Sequence, residues 1–167
     1  MAEGCAMKLL IKALVLSLLL NVHLALAEGI KPFVMNSRAA IEQAHAGQPM
    51  ILAFWSIDCG YCLDELATVA EFVNKHPKIK MVLVNVDGAS TSQEVSKSLK
   101  QMHLQSFESW QFAEADEERL RFSIDKAWYG ELPRTYYYDA NYQSKHQVQA
   151  FSGSPDSAWL KAWASKY

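Results

Sequence analysis

The order of elements along the chain predicts an α/β fold, a central mixed sheet with helices on both faces. Three observations carry that expectation. Compact apolar runs alternate with helix-period segments from about residue 37 to residue 124, an aromatic and β-branched hairpin follows at 134–151, and a capped helix closes the chain. With 167 residues, half of them apolar, the chain can bury one good core and is short for two.

Each element has its own signal. Ser37 to Ala46 carries a helix start and a helical pattern, and Gly47 supplies the stop. Pro49 to Trp55 is an apolar run bounded by Gly47 and Asp58, as expected of a strand buried on both faces. From Cys59 to about Lys75 the period becomes helical, with Leu63, Leu66, Val69, Ala70 and Val73 on one face. A second strand, Ile79 to Val86, ends at Asp87-Gly88. Thr91 and Glu94 then have the spacing of a capping box for a helix through about Met102. Residues 106–114, with Phe107, Trp110 and Phe112, suit a short strand or an ordered loop, and Asp116 to Ile124 suits a helix. Arg134 to Asp139 and Gln147 to Phe151 form a hairpin about the turn Asp139-Ala140-Asn141. Ser154-Pro155-Asp156 opens the last helix with a cap, a proline at the first position and an acid in the first turn.

The N-terminal segment has the order of a secretory signal peptide. Lys8 and Lys12 accompany the apolar run Leu14 to Leu20, and Ala25-Leu26-Ala27 gives a small-x-small cleavage pattern. A membrane span needs roughly 20 apolar residues, and Asn21 and His23 interrupt this stretch early. Residues 1–27 are thus expected to be a leader and 28–167 a single domain, exported and periplasmic after cleavage near Ala27, or membrane-tethered if uncleaved. Cys5 precedes the apolar run, which disfavours lipidation. Cleavage removes Lys8, Lys12, Glu3 and Cys5, leaving 14 basic and 17 acidic residues, net −3, and two cysteines. The full chain carries net charge −2 and no Lys/Arg stripe, so nucleic acid is not an expected partner.

Cys59 and Cys62 are the chemical centre. A structural staple in an oxidising compartment generally closes a long loop, where the stabilisation is greatest, and this pair closes almost none. A C-x-x-C at a helix start instead offers a nucleophile and a resolving thiol. Unpaired first-turn amides and the helix dipole stabilise a thiolate, lowering a cysteine pKa from about 8.5 to between roughly 3.5 and 7.5. Cys59, at the exposed end, is expected to attack, and Cys62, one turn inward, to resolve the mixed disulfide. Zinc would want four ligands, and no second Cys pair exists. Covalent haem would need His after Cys62, where Leu63 stands. No metal and no cofactor is expected.

Two segments, Phe54-Trp55-Ser56-Ile57-Asp58-Cys59-Gly60-Tyr61-Cys62 and Leu132-Pro133-Arg134-Thr135-Tyr136-Tyr137-Tyr138-Asp139, occur in the order found in thioredoxin-fold proteins. Over residues about 35–165 the chain resembles that superfamily, and within it the exported TlpA/ResA group of thiol-disulfide oxidoreductases. The resemblance implies a cis Leu132-Pro133 bond beside the cysteines, with the Leu132 backbone open to an incoming substrate strand. It also implies that the 70 residues between Cys62 and Pro133 hold the group's strand-helix insertion, within 88–113. Glu65, three residues after Cys62, matches an acidic position that tunes the active-site thiols; as a bare helix residue it could equally be solvated. Gly60, Tyr61 and Trp55 join Leu132 and Pro133 as expected substrate contacts, whereas Trp110, Trp128 and Tyr129 could rim the site or belong to the core.

Three departures from the group's pattern bear on redox tuning: Asp58 before the first cysteine, Gly60-Tyr61 between the cysteines, and Ala67 where proline is common. Asp58 could oppose a Cys59 thiolate by like charge or cap the helix. The reading that results is a monomeric, exported reductase of disulfides in other exported proteins, apocytochrome c among them, re-reduced by a membrane thiol carrier. A Dsb-type isomerase or oxidase, a redox-inert binding module, and a copper chaperone using the cysteines with His103 are the alternatives.

Overall fold

The computed structural model describes residues 29–142 and 148–167. The expected leader 1–27, Cys5, and Gln147 at the start of the returning strand lie outside the described residues. The elements run β1 (Lys31–Phe33), α1 (Ser37–Ala44), β2 (Met50–Trp55), α2 (Gly60–Asn74), β3 (Lys80–Asn85), α3 (Ser92–Gln101), β4 (Glu108–Phe112), α4 (Glu117–Ile124), β5 (Arg134–Tyr138), β6 (Val148–Ser152) and α5 (Ser157–Ala164). They build one sheet in the order β1-β4-β3-β2-β5-β6. Pairing is parallel from β1 through β4 and β3 to β2, and antiparallel from β2 through β5 to β6. The sheet is mixed, as the sequence predicts.

All six residues of β2 are buried, because the strand has a neighbour on each edge and helices on each face. Its side chains alternate with the period of two that a pleated strand imposes. Ile51, Ala53 and Trp55 enter a core shared with Leu66 and Val69 of α2, Val95 and Leu99 of α3, and Leu160 and Trp163 of α5. Met50, Leu52 and Phe54 enter the opposite core, with Ile41 of α1 and Leu120 and Ile124 of α4. Among the described residues, these helices are therefore divided three and two across the sheet. The second core is rich in rings: Phe54 lies 5.8 Å from Phe33, 5.0 Å from Trp128 and 5.8 Å from Tyr136, centroid to centroid.

The segment expected to hold the insertion contains α3 and β4, and β4 lies between β1 and β3 in the sheet. Residues 108–112 thus form a strand, ending the ambiguity between strand and loop. Strand β1 has no counterpart in the sequence reading. It is three residues long and contains Pro32, whose missing N–H is tolerated at a sheet edge.

Two helix starts differ from expectation. Residues 89–91 form a 3-10 turn, and the Thr91 hydroxyl donates to the Gly88 carbonyl at 2.9 Å instead of capping α3, so the Thr91–Glu94 capping box does not form. At α5 the cap is Asp156, whose carboxylate accepts from the Ala158 N–H at 2.6 Å. Ser154 and Pro155 therefore precede the helix.

Replacing Phe54 by Ala removes the ring around which these aromatic contacts are arranged. The expected loss is about 3–5 kcal/mol, read as a fall in the midpoint of chemical unfolding; a loss below about 1 kcal/mol would mean the core closes around the void.

Candidate functional site

Strand β2 ends at Trp55, and a short turn, Ser56 to Asp58, delivers the chain to α2. Cys59 is the N-cap of that helix, with extended backbone angles, φ −99° and ψ 93°. Its carbonyl accepts from the Cys62 and Leu63 amides at 3.0 and 3.2 Å, and its Sγ accepts from the Cys62 N–H at 3.2 Å. The sulfur occupies the place that an oxygen of Ser or Asp fills in an ordinary cap. Cys59 and Cys62 are joined by a disulfide. Cys59 is half-buried, Cys62 is 0% exposed, and Gly60 and Tyr61 between them are exposed. Asp58 does not cap the helix. It is exposed, and its N–H donates to Ser56 Oγ at 3.2 Å.

On the other side of the cysteines, the Leu132–Pro133 bond is cis. Pro133 is buried immediately before β5, and its carbonyl accepts from the Gly153 N–H at 3.0 Å. A cleft of about 400 Å³ opens here, lined by Tyr61, Asp64, Glu65, Leu132 and Pro133 and closed by the 152–154 turn after β6. The sequence-predicted residues Glu65, Leu132, Pro133 and Tyr61 are thus brought together, against the C-x-x-C helix.

Trp55 is not among them. It is 1% exposed and lies in the core that also contains Cys62, so it offers a partner no surface. The other aromatic candidates line no part of the cleft. Trp128 is buried against Phe54, Trp110 packs edge-on to Phe33, and Tyr129 is exposed beside α4.

Glu65 is 4% exposed, so the solvated reading of this residue fails. It stands one turn after Cys62 on the buried side of α2. Its Oε1 accepts from the Thr135 hydroxyl at 2.8 Å, while Oε2 is buried without a hydrogen-bond partner, as is the Tyr137 hydroxyl on the same face of β5. Burial pushes the Glu65 carboxyl above its usual range, and Thr135 and the nearby Ser154 hydroxyl pull less strongly the other way. The cation next door does not help. Arg134 points to the opposite face, where it binds Asp125 at 2.7 Å and Tyr136 at 3.1 Å.

Sequence reasoning missed two residues. Thr135 stands in the Pro-x-Thr strand that carries the resemblance, yet nothing local gives it a role, because its contact with Glu65 spans 70 positions. Asp87 reads in the sequence only as the end of a strand, yet its carboxylate accepts from Ser56 Oγ at 2.8 Å and from the Ile57 N–H at 2.9 Å in the turn before Cys59. A polar Asn85-x-Asp87 at the end of a buried parallel strand is the one cue that could have found it. Among the described residues no group of three or more His, Cys, Asp or Glu side chains is arranged to hold a metal ion.

No family model and no curated protein matches the chain. Solved structures do. A secreted disulfide oxidoreductase of Mycobacterium tuberculosis, described as homologous to E. coli DsbE, aligns with a TM-score of 0.56 at 14% identity, over 75% of this chain and 86% of that one. A thiol:disulfide interchange protein of the thioredoxin family from Chlorobium tepidum TLS gives 0.58 at 14% identity, over 75% and 83%. A thioredoxin-related protein from Neisseria meningitidis serogroup B gives 0.56 at 21% identity, over 71% and 83%. With the C-x-x-C at the start of α2 and the cis proline before β5, these similarities give the chain a thioredoxin-like fold.

Proposed function

We propose that the protein is an exported thiol-disulfide oxidoreductase that reduces disulfides in other exported proteins. One observation carries the reading: a half-buried sulfur at a helix N-cap is bonded to a fully buried one, beside a cleft built by Leu132 and Pro133. A disulfide placed to be inert would not need one half-buried sulfur that accepts from a helix N–H. The leader pattern of residues 1–27 supports export, as does the likeness to a protein described as secreted.

In the reduced state the Cys59 thiolate, held by the Cys62 N–H and the first turn of α2, attacks one sulfur of a substrate disulfide. A Cys59–substrate bond forms and the other substrate sulfur leaves as a thiolate. Cys62 then loses its proton and attacks Cys59 Sγ, closing the Cys59–Cys62 bond and releasing the second substrate sulfur. Two electrons have passed to the substrate. A membrane thiol carrier returns them by the reverse exchange, and apocytochrome c is one candidate substrate. The protein acts as a monomer and needs no further cofactor.

Cys62 is wholly buried, so its proton needs an internal acceptor. Glu65 is the nearest such group along α2, and its raised pKa brings its ionisation closer to that of a thiol. Substrate backbone passes Leu132 and Pro133, and Tyr61, 84% exposed, adds an aromatic contact at the mouth of the cleft. The Gly60-Tyr61 pair keeps isomerase or oxidase directions in competition with reduction.

Two experiments follow. Cys59→Ser abolishes exchange with a protein disulfide, whereas Cys62→Ser accumulates mixed disulfides that appear as adducts on non-reducing gels; full activity in either single variant rules out the two-thiol mechanism. For Glu65, a raised folded pKa means that the neutral acid is favoured on folding. Its contribution is complete below the unfolded value and is lost as pH rises through the folded one. With the disulfide kept closed, Glu65→Gln should therefore gain stability relative to the parent as pH rises from about 4.5 toward neutrality; a difference independent of pH contradicts the assignment.

A further inference from the structure

The turn that carries Cys59 is held partly by its own residues and partly by Asp87, from beyond the neighbouring strand. Ser56 Oγ donates to Asp87 Oδ1 at 2.8 Å and accepts from the Asp58 N–H, and the Ile57 N–H donates to Asp87 Oδ2 at 2.9 Å. The next amide in line, that of Cys59, donates to the Ser56 carbonyl at 3.2 Å. Each backbone amide from 57 to 59 therefore ends on Asp87 or on Ser56, which Asp87 fixes. Asn85, 0% exposed, completes the carboxylate's set by donating from Nδ2 to Oδ2 at 2.8 Å, and its own Oδ1 accepts from the Asp87 N–H at 3.0 Å.

Asp87 is in turn fixed from the far side, by the insertion. Gln111 of β4, 3% exposed, donates from Nε2 to the carbonyls of Asp87 and Gly88 at 3.1 and 3.0 Å and to Thr91 Oγ1 at 2.9 Å, while its Oε1 accepts from Ser92 Oγ at 2.8 Å. An unbroken hydrogen-bond path thus runs from the inserted strand through residues 87–88 to the turn that ends in the cysteine. A buried polar residue with this many partners is costly to place for packing alone, because losing any partner leaves a buried polar group unpaired.

We infer that Asp87 is a positioning residue for Cys59, and that the α3–β4 insertion buttresses the active-site turn through Gln111. This rests on the exchange reaction proposed above and adds to it the group that holds the attacking sulfur over the α2 amides. The carboxylate touches neither cysteine. It acts by fixing the 56–59 turn, so that Cys59 Sγ meets the Cys62 N–H without a search.

The test compares Asp87→Ala with Asp87→Asn. Both lack the charge, so the difference between them reports the hydrogen bonds alone. The Asn amide oxygen can still accept from Ile57 and Asn85, and its NH2 can donate to Ser56, whose hydroxyl also accepts. The readout is the second-order rate of the reduced, full-length protein with oxidised glutathione, with the unfolding midpoint measured in parallel. Asp87→Ala is expected to react about tenfold more slowly than Asp87→Asn. Equal rates in two folded variants overturn the inference. Where Asp87→Ala does not fold, Ser56→Ala decides: a rate about fivefold below the parent supports the role, and an unchanged rate contradicts it. A parent protein that does not exchange at all refutes the proposed function instead, so the two failures are distinct.

Discussion

The structure turns on one junction, the point where a fully buried strand gives way to a helix whose start is capped by Cys59. Any helix start leaves N–H groups to be satisfied, and here a sulfur satisfies one of them. Cys59 Sγ accepts from the Cys62 N–H, so the atom that caps the helix is also the one to which the proposed exchange assigns the attack. In the reduced state that the proposed exchange requires, the contact that caps α2 would also favour negative charge on Cys59. Everything around it serves to hold that geometry. Strand β2, locked between β3 and β5 with both faces covered, fixes where the helix begins, and β5 brings Leu132 and Pro133 to the same end.

The two faces of β2 divide the labour. On one face Phe54, Phe33, Trp128 and Tyr136 form an aromatic core with α1 and α4, separate from the cluster that contains Cys62. On the other, Cys62 and Glu65 of α2 face Thr135 and Tyr137 of β5, and polar atoms are buried without full compensation. Arg134 could have neutralised Glu65, but alternation along β5 sends its guanidinium to the other side. Strand periodicity therefore leaves the Glu65 carboxyl without the Arg134 guanidinium to offset its burial, and burial raises its pKa.

Much of this was legible in the sequence because it is written in local patterns. The run from Pro49 to Trp55, the three-and-four spacing after Cys59 and the aromatic strand from Arg134 report burial within a few residues of themselves, and they set the fold and the cysteine site. What could not be read depends on residues far apart in the chain. Thr135 meets Glu65 across the sheet, Gln111 reaches back to Asp87 from the insertion, and Trp55 turns into the core because the pleat leaves it no other direction. The capping box at Thr91 failed for a related reason. A 3-10 turn precedes α3, and within it the Thr91 hydroxyl has the Gly88 carbonyl and the Gln111 amide for partners. The three-residue β1 carries too little pattern to be seen apart from the β4 edge it joins.

In the function proposed above, Cys59 and Cys62 are a dithiol–disulfide couple that donates electrons from its reduced form. Its reduction potential, measured by equilibrating the protein against glutathione and dithiothreitol buffers, tests this most directly. Ready equilibration is expected, at a potential near or below that of thioredoxin, about −270 mV. A value near −120 mV would identify an oxidant, and a disulfide that never equilibrates would contradict the exchange mechanism itself.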